Sequence, residues 1–202
     1  MNADDFTVSP PQQLAIAYAR KDIRLAFGLL LAFDDRIAGV VGRGSEPIFA
    51  QMKIAWWQEA LAKPAHLRPK GEPLFAELQQ LENAGRAEGL IGAMQLVLDA
   101  WGILAAHEEW AHDQIKAFAE TRSNAVFGTY AGWVATYGPV AEHGRHWAID
   151  DLSARFGKQF GDGNSAPPRR MHRRLRPLSI LAHSVRPDIS GARLIWHALT
   201  GR

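Results

Sequence analysis

No cysteine occurs among the 202 residues of this chain. Disulfides, thiolate nucleophiles and cysteine-ligated zinc are therefore excluded, while the compartment stays open. Long apolar runs are missing too. The best, Leu25 to Phe33, is about half of the roughly 20 residues needed to span a bilayer. The N-terminus carries Asp4 and Asp5 and no basic segment, so no secretory signal is expected, and a cytoplasmic location follows by default. Sustained period-two alternation between turns is absent, which argues against strands. Neither a Walker loop, a GxGxxG run nor a Ser-His-Asp arrangement occurs, so the most legible nucleotide and hydrolase signatures drop out.

What is present is helical spacing. Apolar residues recurring at three and four positions predict helices over 10–41, 46–62, 73–84, 88–104, 108–137, 140–160, 169–184 and 188–199. Ser45 ahead of Glu46-Pro47 supplies a capping hydroxyl, an early acid and a first-turn proline. Lys63-Pro64 ends that helix, Pro73 opens the next, and Gly138-Pro139 splits the central segment. Gly161 to Pro168 is the clearest loop and leaves too little chain behind it for a second domain. Trp56 and Trp57, about 100° apart on a helix, call for a wide buried stripe, as do Leu29, Leu30, Leu31 and Phe33. The expected fold class is all-α: one helical bundle over 1–202, with outer helices around one or two central ones.

The formal net charge of +2 is unevenly spread. Residues 1–144 hold 12 Lys/Arg against 17 Asp/Glu, or −5; residues 145–202 hold 11 against 4, or +7. Arg169, Arg170, Arg173, Arg174 and Arg176 concentrate the excess. Such a cluster is either a solvated loop and helix start or a contact for an anionic surface. Nucleic acid is not expected, because no aromatic residue interleaves the run from Arg169 to Arg176.

Three further constellations carry chemistry. Asp34-Asp35 lies within an apolar helix. One carboxylate can face water while the other pairs with Arg24 or Lys53, or the pair can touch a ligand, or hold a metal. Lys53 correspondingly forms a buried ion pair with an aspartate or contacts a phosphate. Trp56 and Trp57 read as core, or as the aromatic wall of an apolar pocket together with Phe27, Leu31 and Trp133. His107-Glu108-Glu109-Trp110-Ala111-His112 contains the Glu-x-x-His unit of di-iron bundles, but no second unit occurs. These acids are expected to decorate the first turn of a helix.

The segment Ala32-Phe33-Asp34-Asp35-Arg36-Ile37-Ala38, continued by Ser45-Glu46-Pro47 and by Lys53 ahead of Trp56-Trp57, resembles the squalene/phytoene synthase family. The likeness extends to Leu96–Trp101, to Asp113–Phe127 (with Phe118 where the family usually has tyrosine), to Gly144–Leu152 around Asp150-Asp151, and to Arg174–Ala182. The resemblance implies an all-helical isoprenoid-synthase fold with a central prenyl cavity. It also implies two DxxxD motifs whose carboxylates, one turn apart, hold Mg²⁺ on a substrate diphosphate.

This chain departs from that pattern. Ala38 and Gly39 stand four residues after Asp34 and Asp35, and Ala154 and Arg155 four after Asp150 and Asp151. Neither motif places two carboxylates on one helix face, so no catalytic residue, no metal and no cofactor is expected. The order of residues is similar to a branch of the superfamily that includes a respiratory complex I assembly factor. That likeness implies a non-catalytic protein that binds a lipid or isoprenoid or a respiratory-complex subunit, while the arginine cluster from Arg169 to Arg176 adds the expectation of peripheral attachment to an anionic membrane surface, the inner membrane above all. Asp34, Asp35, Lys53, Trp56, Asp150 and Asp151 are the ligand-contact expectations. The alternative is an active Mg²⁺-dependent transferase that joins prenyl diphosphates head to head.

Overall fold

The structure is a computed structural model and describes residues 8–42, 46–161, 170–186 and 189–200. Among them every regular element is helical, with no strand. In chain order the α-helices are α1 (Pro10–Tyr18), α2 (Arg24–Val40), α3 (Pro47–Ala62), α4 (Pro73–Asn83), α5 (Leu90–Ala105), α6 (His112–Ser123), α7 (Thr129–Trp133), α8 (Val140–Phe156), α9 (Arg176–Ser184) and α10 (Gly191–Thr200).

Two helices are central. Every residue of α2 from Ala26 to Asp34 is buried. In α5 the buried set Leu90, Ala93, Met94, Val97, Leu98, Ala100, Trp101, Leu104 and Ala105 wraps most of the circumference. This stretch of α2 has no polar side and α5 exposes only the strip of Gly92, Gln95 and Asp99, so both helices must be largely surrounded. Accordingly α5 packs against α2, α3 and α6, while α8 joins α6 to α9 and α9 is flanked by α1 and α10. Each large aliphatic side chain enclosed here contributes about 1.5–3 kcal/mol relative to exposure.

The helix expected over 10–41 is two helices. Ala19 is extended (φ −68°, ψ 150°), and the Arg24 guanidinium donates to the carbonyls of Ala17 (2.8 Å) and Ala19 (3.0 Å). A side chain thus satisfies carbonyls that the end of α1 leaves without helical partners. Arg24 is therefore a cap rather than a partner of Asp34 or Asp35. The helix expected over 108–137 begins at His112 and carries a π-helical segment, Asn124–Gly128, between α6 and α7. The helix expected from residue 169 begins at Arg176, after a 3₁₀ turn over Arg173–Leu175. Ser45 and Arg169 lie outside the described residues, and Glu46 is the residue preceding α3.

The tryptophan pair straddles the edge of the core. Trp57 is buried against Phe33 and Phe75, with centroids 5.3 and 5.1 Å away. Trp56 remains 44% exposed, which corrects its expected place in the core. Gly144 sets how closely α8 approaches α6. A Cβ there would stand 2.9 Å from Ser123 Cβ and 3.0 Å from Phe127 Cγ, closer than packed carbons tolerate. Among the described residues no helix is long and apolar enough to cross a membrane.

Candidate functional site

Three helices bring charge into the core. Asp34 projects from the fully buried stretch of α2. On α6 the buried residues Ile115, Phe118, Ala119 and Arg122 recur at helical spacing, so Arg122 occupies an apolar stripe. On α8, Gly144, Asp151 and Arg155 follow one another at seven and four residues along one face. The close approach at Gly144 carries that face toward α6.

Arg122 and Asp34 are both 0% exposed. Arg122 Nη2 lies 2.6 Å from Asp34 Oδ2, and Nε is 3.1 and 3.2 Å from the two carboxylate oxygens. The same Nη2 is 2.7 Å from Asp151 Oδ2. Arg155 Nε also reaches Asp151 Oδ2 at 2.7 Å, and Arg155 Nη2 pairs with Asp35 Oδ1. Trp101 Nε1 donates to Asp34 Oδ1 at 2.8 Å. An unbroken chain of contacts runs Trp101–Asp34–Arg122–Asp151–Arg155–Asp35. The Arg122 guanidinium carbon lies 4.1 Å from the Trp147 ring centroid, 5.1 Å from Trp101 and 5.7 Å from Phe118, an aromatic enclosure that favours a desolvated cation.

Three carboxylates face two guanidiniums, leaving one surplus negative charge. Burial works to raise the Asp151 carboxyl, but Arg122 and Arg155 overcome it and hold the group below the usual aspartate value. At Asp35 burial prevails over Arg155, and neighbouring Asp34 adds to it, so that carboxyl is raised. Both guanidiniums are held charged: burial opposes them, and the aspartates more than compensate.

The site gathers Asp34, Asp35 and Asp151 from the six expected ligand-contact residues. Neither Asp34 nor Asp35 is given over to water. Asp150 stands apart, raised by burial against the opposing charges of His146 and Arg186. Lys53 is exposed on α3 and forms no ion pair with a described residue, which corrects the buried pair expected of it. Of the arginine cluster, Arg170, Arg173 and Arg174 are exposed. Arg176 instead turns inward and donates to the carbonyls of His197 (2.8 Å) and Ala198 (3.0 Å), tying α10 to α9. Glu108 and Glu109 lie in the connection ahead of α6, so they do not decorate its first turn. Sequence reasoning missed Arg122. The available signal was its place on the apolar stripe of α6, where a charge requires buried partners.

The divalent cation that the resemblance implies does not fit these residues. Every carboxylate of the network already faces a guanidinium at ion-pair distance, so a dication would meet two fixed positive charges beside its ligands.

A cavity of about 550 Å³ opens further along the C-terminal ends of α2, α5 and α8, with Val41, Ala50, Leu104, Trp110, Phe156 and Phe160 among its lining. The residues expected to line a pocket are not among its walls. Phe27 and Leu31 are fully buried, and the Trp133 indole donates to the carbonyl of Glu88 at 2.9 Å. In comparisons with family models, curated proteins and solved structures, nothing matches this chain.

Proposed function

We propose that this chain is a squalene/phytoene synthase-like protein on an isoprenoid-synthase-like fold whose metal–diphosphate chemistry has been replaced by an internal ion-pair network. It acts by binding rather than by catalysis. One observation carries this reading: Arg122 and Arg155 stand between Asp34, Asp35 and Asp151. Carboxylates that would otherwise coordinate Mg²⁺ instead tie α2, α6 and α8 together. In this reading the protein binds a lipid or isoprenoid and serves as an assembly factor for a respiratory complex, held at an anionic membrane surface.

Incubation with farnesyl or geranylgeranyl diphosphate and Mg²⁺ tests the reading. No pyrophosphate release above the protein-free control is expected. Release that disappears in Asp34→Asn and Asp150→Asn would establish the head-to-head transferase instead.

A further inference from the structure

The 550 Å³ cavity beside the network has walls and a rim of different character. Its size falls within the range that holds a small organic ligand. Trp110 forms the inner wall, with its ring 4.7 Å from Phe156 and 5.4 Å from Phe160 and its indole nitrogen bound to the Leu104 carbonyl at 2.9 Å. The wall is therefore fixed and its ring faces are apolar. Around it stand Glu46, Glu108 and Glu109 against the single ammonium of Lys158. All four are exposed, and none of the three carboxylates is in an ion pair with a described residue. Lys158 Nζ is itself placed against the Phe160 ring, 5.7 Å from its centroid, so the wall already receives one cation. His107 also lines the cavity; with histidine counted neutral, three carboxylates against one ammonium leave the rim acidic.

We infer that this cavity binds a cationic amphiphile: an aliphatic chain against Trp110, Phe156 and Phe160, and an amine or quaternary ammonium head among Glu46, Glu108 and Glu109. An aromatic face and a nearby carboxylate both attract such a head. A phosphate or diphosphate head meets the same carboxylates as repulsion. The inference rests on the binding reading above and names the chemical class of the ligand.

Isothermal titration with three amphiphiles of equal chain length, each below its micelle concentration, tests it: dodecyltrimethylammonium, dodecyl maltoside and dodecyl phosphate. Saturable one-to-one binding is expected, with the ammonium about tenfold tighter than the phosphate at low salt, a difference of the size a few partly screened carboxylates give. The double variant Glu108→Gln/Glu109→Gln should bring the two close together, and Ala50→Trp, which fills the cavity, should abolish binding of all three. If Ala50→Trp does not fold, a terminally brominated dodecyltrimethylammonium supplies the second measurement. It should quench a fraction of the tryptophan emission that is absent in Trp110→Phe. Equal or tighter binding of the phosphate overturns the inference, as does an absence of saturable binding, or binding indifferent to both the glutamate and the Trp110 substitutions. Pyrophosphate release is measured separately, so turnover would defeat the non-catalytic reading without altering the ratio of the amphiphiles.

Discussion

Arg122 Nη2 stands 2.6 Å from Asp34 Oδ2 and 2.7 Å from Asp151 Oδ2, so a single nitrogen joins α2 to α8 through α6. A buried ion pair adds little net stability over a well-packed apolar replacement, yet removing one partner strands the other without solvent. Here the pairs join α2, α6 and α8 through one connected set of contacts.

Arg122→Met should therefore destabilise the fold by about 3–5 kcal/mol, because Asp34 loses its guanidinium and Asp151 one of two. Arg122→Lys should recover little of that loss, since an ammonium cannot present Nε and Nη2 side by side to one carboxylate. Urea denaturation followed by circular dichroism measures both. A Lys variant as stable as the parent would mean that charge alone matters and the fork does not.

The aspartates should separate by pH. Asp35 is raised on folding, so its contribution to stability is fully present below the unfolded aspartate value of about 3.9 and is lost as pH rises through the folded value. Asp151 is lowered, so its contribution is present above about 3.9 and is lost as pH falls through its folded value. Relative to the parent, Asp35→Asn should become more favourable as pH rises above about 4, whereas Asp151→Asn should become less favourable as pH rises toward about 4 and then level off. Denaturation midpoints from about pH 3 to about pH 7 give the two trends, and trends of equal sign would contradict the network as described.

Much of this arrangement is legible in the sequence, and the illegible part has a definite cause. The continuous burial of α2 follows from Leu25–Phe33 having no polar side, and Pro47, Pro73 and Gly138-Pro139 mark real boundaries. The break at Ala19 is invisible because Ala19-Arg20-Lys21 suits a helix locally, and Arg24 determines the outcome by capping α1. Trp56 and Trp57 look alike in the chain, and only the placement of α3 against Phe75 and Phe33 decides which enters the core. Asp34 advertises a need for a partner through its apolar neighbours. Its partner lies 88 residues away, and a pairing at that distance leaves no trace in local spacing. Arg155, four residues after Asp151, could be read as a lost carboxylate; that it fills the gap between Asp151 and Asp35 could not.

Replacing that filler should create an ion site. Arg155→Asp places two carboxylates at i,i+4 on α8 while removing a guanidinium from Asp35 and Asp151. The variant should be less stable than the parent without divalent ions. It should then gain stability on Mg²⁺ addition, by about 1.4 kcal/mol at ten times the dissociation constant. The parent should show no gain at the same Mg²⁺. Thermal denaturation with and without Mg²⁺, against matched NaCl, distinguishes the two. An equal response of both proteins would mean that the guanidinium is not what keeps a cation away.

The basic cluster divides into arginines with different tasks, and the division is measurable. Arg170, Arg173 and Arg174 are exposed, whereas Arg176 holds the C-terminal carbonyls of α10. On α10, the helix that Arg176 ties to α9, Ile195, Trp196 and Leu199 share one face and are 55%, 64% and 65% exposed. Basic side chains around an apolar helical face suit the interface of an anionic bilayer, where each adds about 1 kcal/mol. Co-sedimentation with phosphatidylserine-containing vesicles should exceed that with neutral vesicles. It should also weaken with salt as the Debye length contracts from about 10 Å at 0.1 M to about 3 Å at 1 M. Substituting Gln at Arg170, Arg173 and Arg174 together should remove most of the anionic preference at unchanged melting temperature. Arg176→Gln should instead lower the melting temperature by freeing α10, and Trp196→Ala should weaken binding to both kinds of vesicle. Binding that ignores lipid charge, or that survives the triple substitution, would assign these arginines to solvent alone.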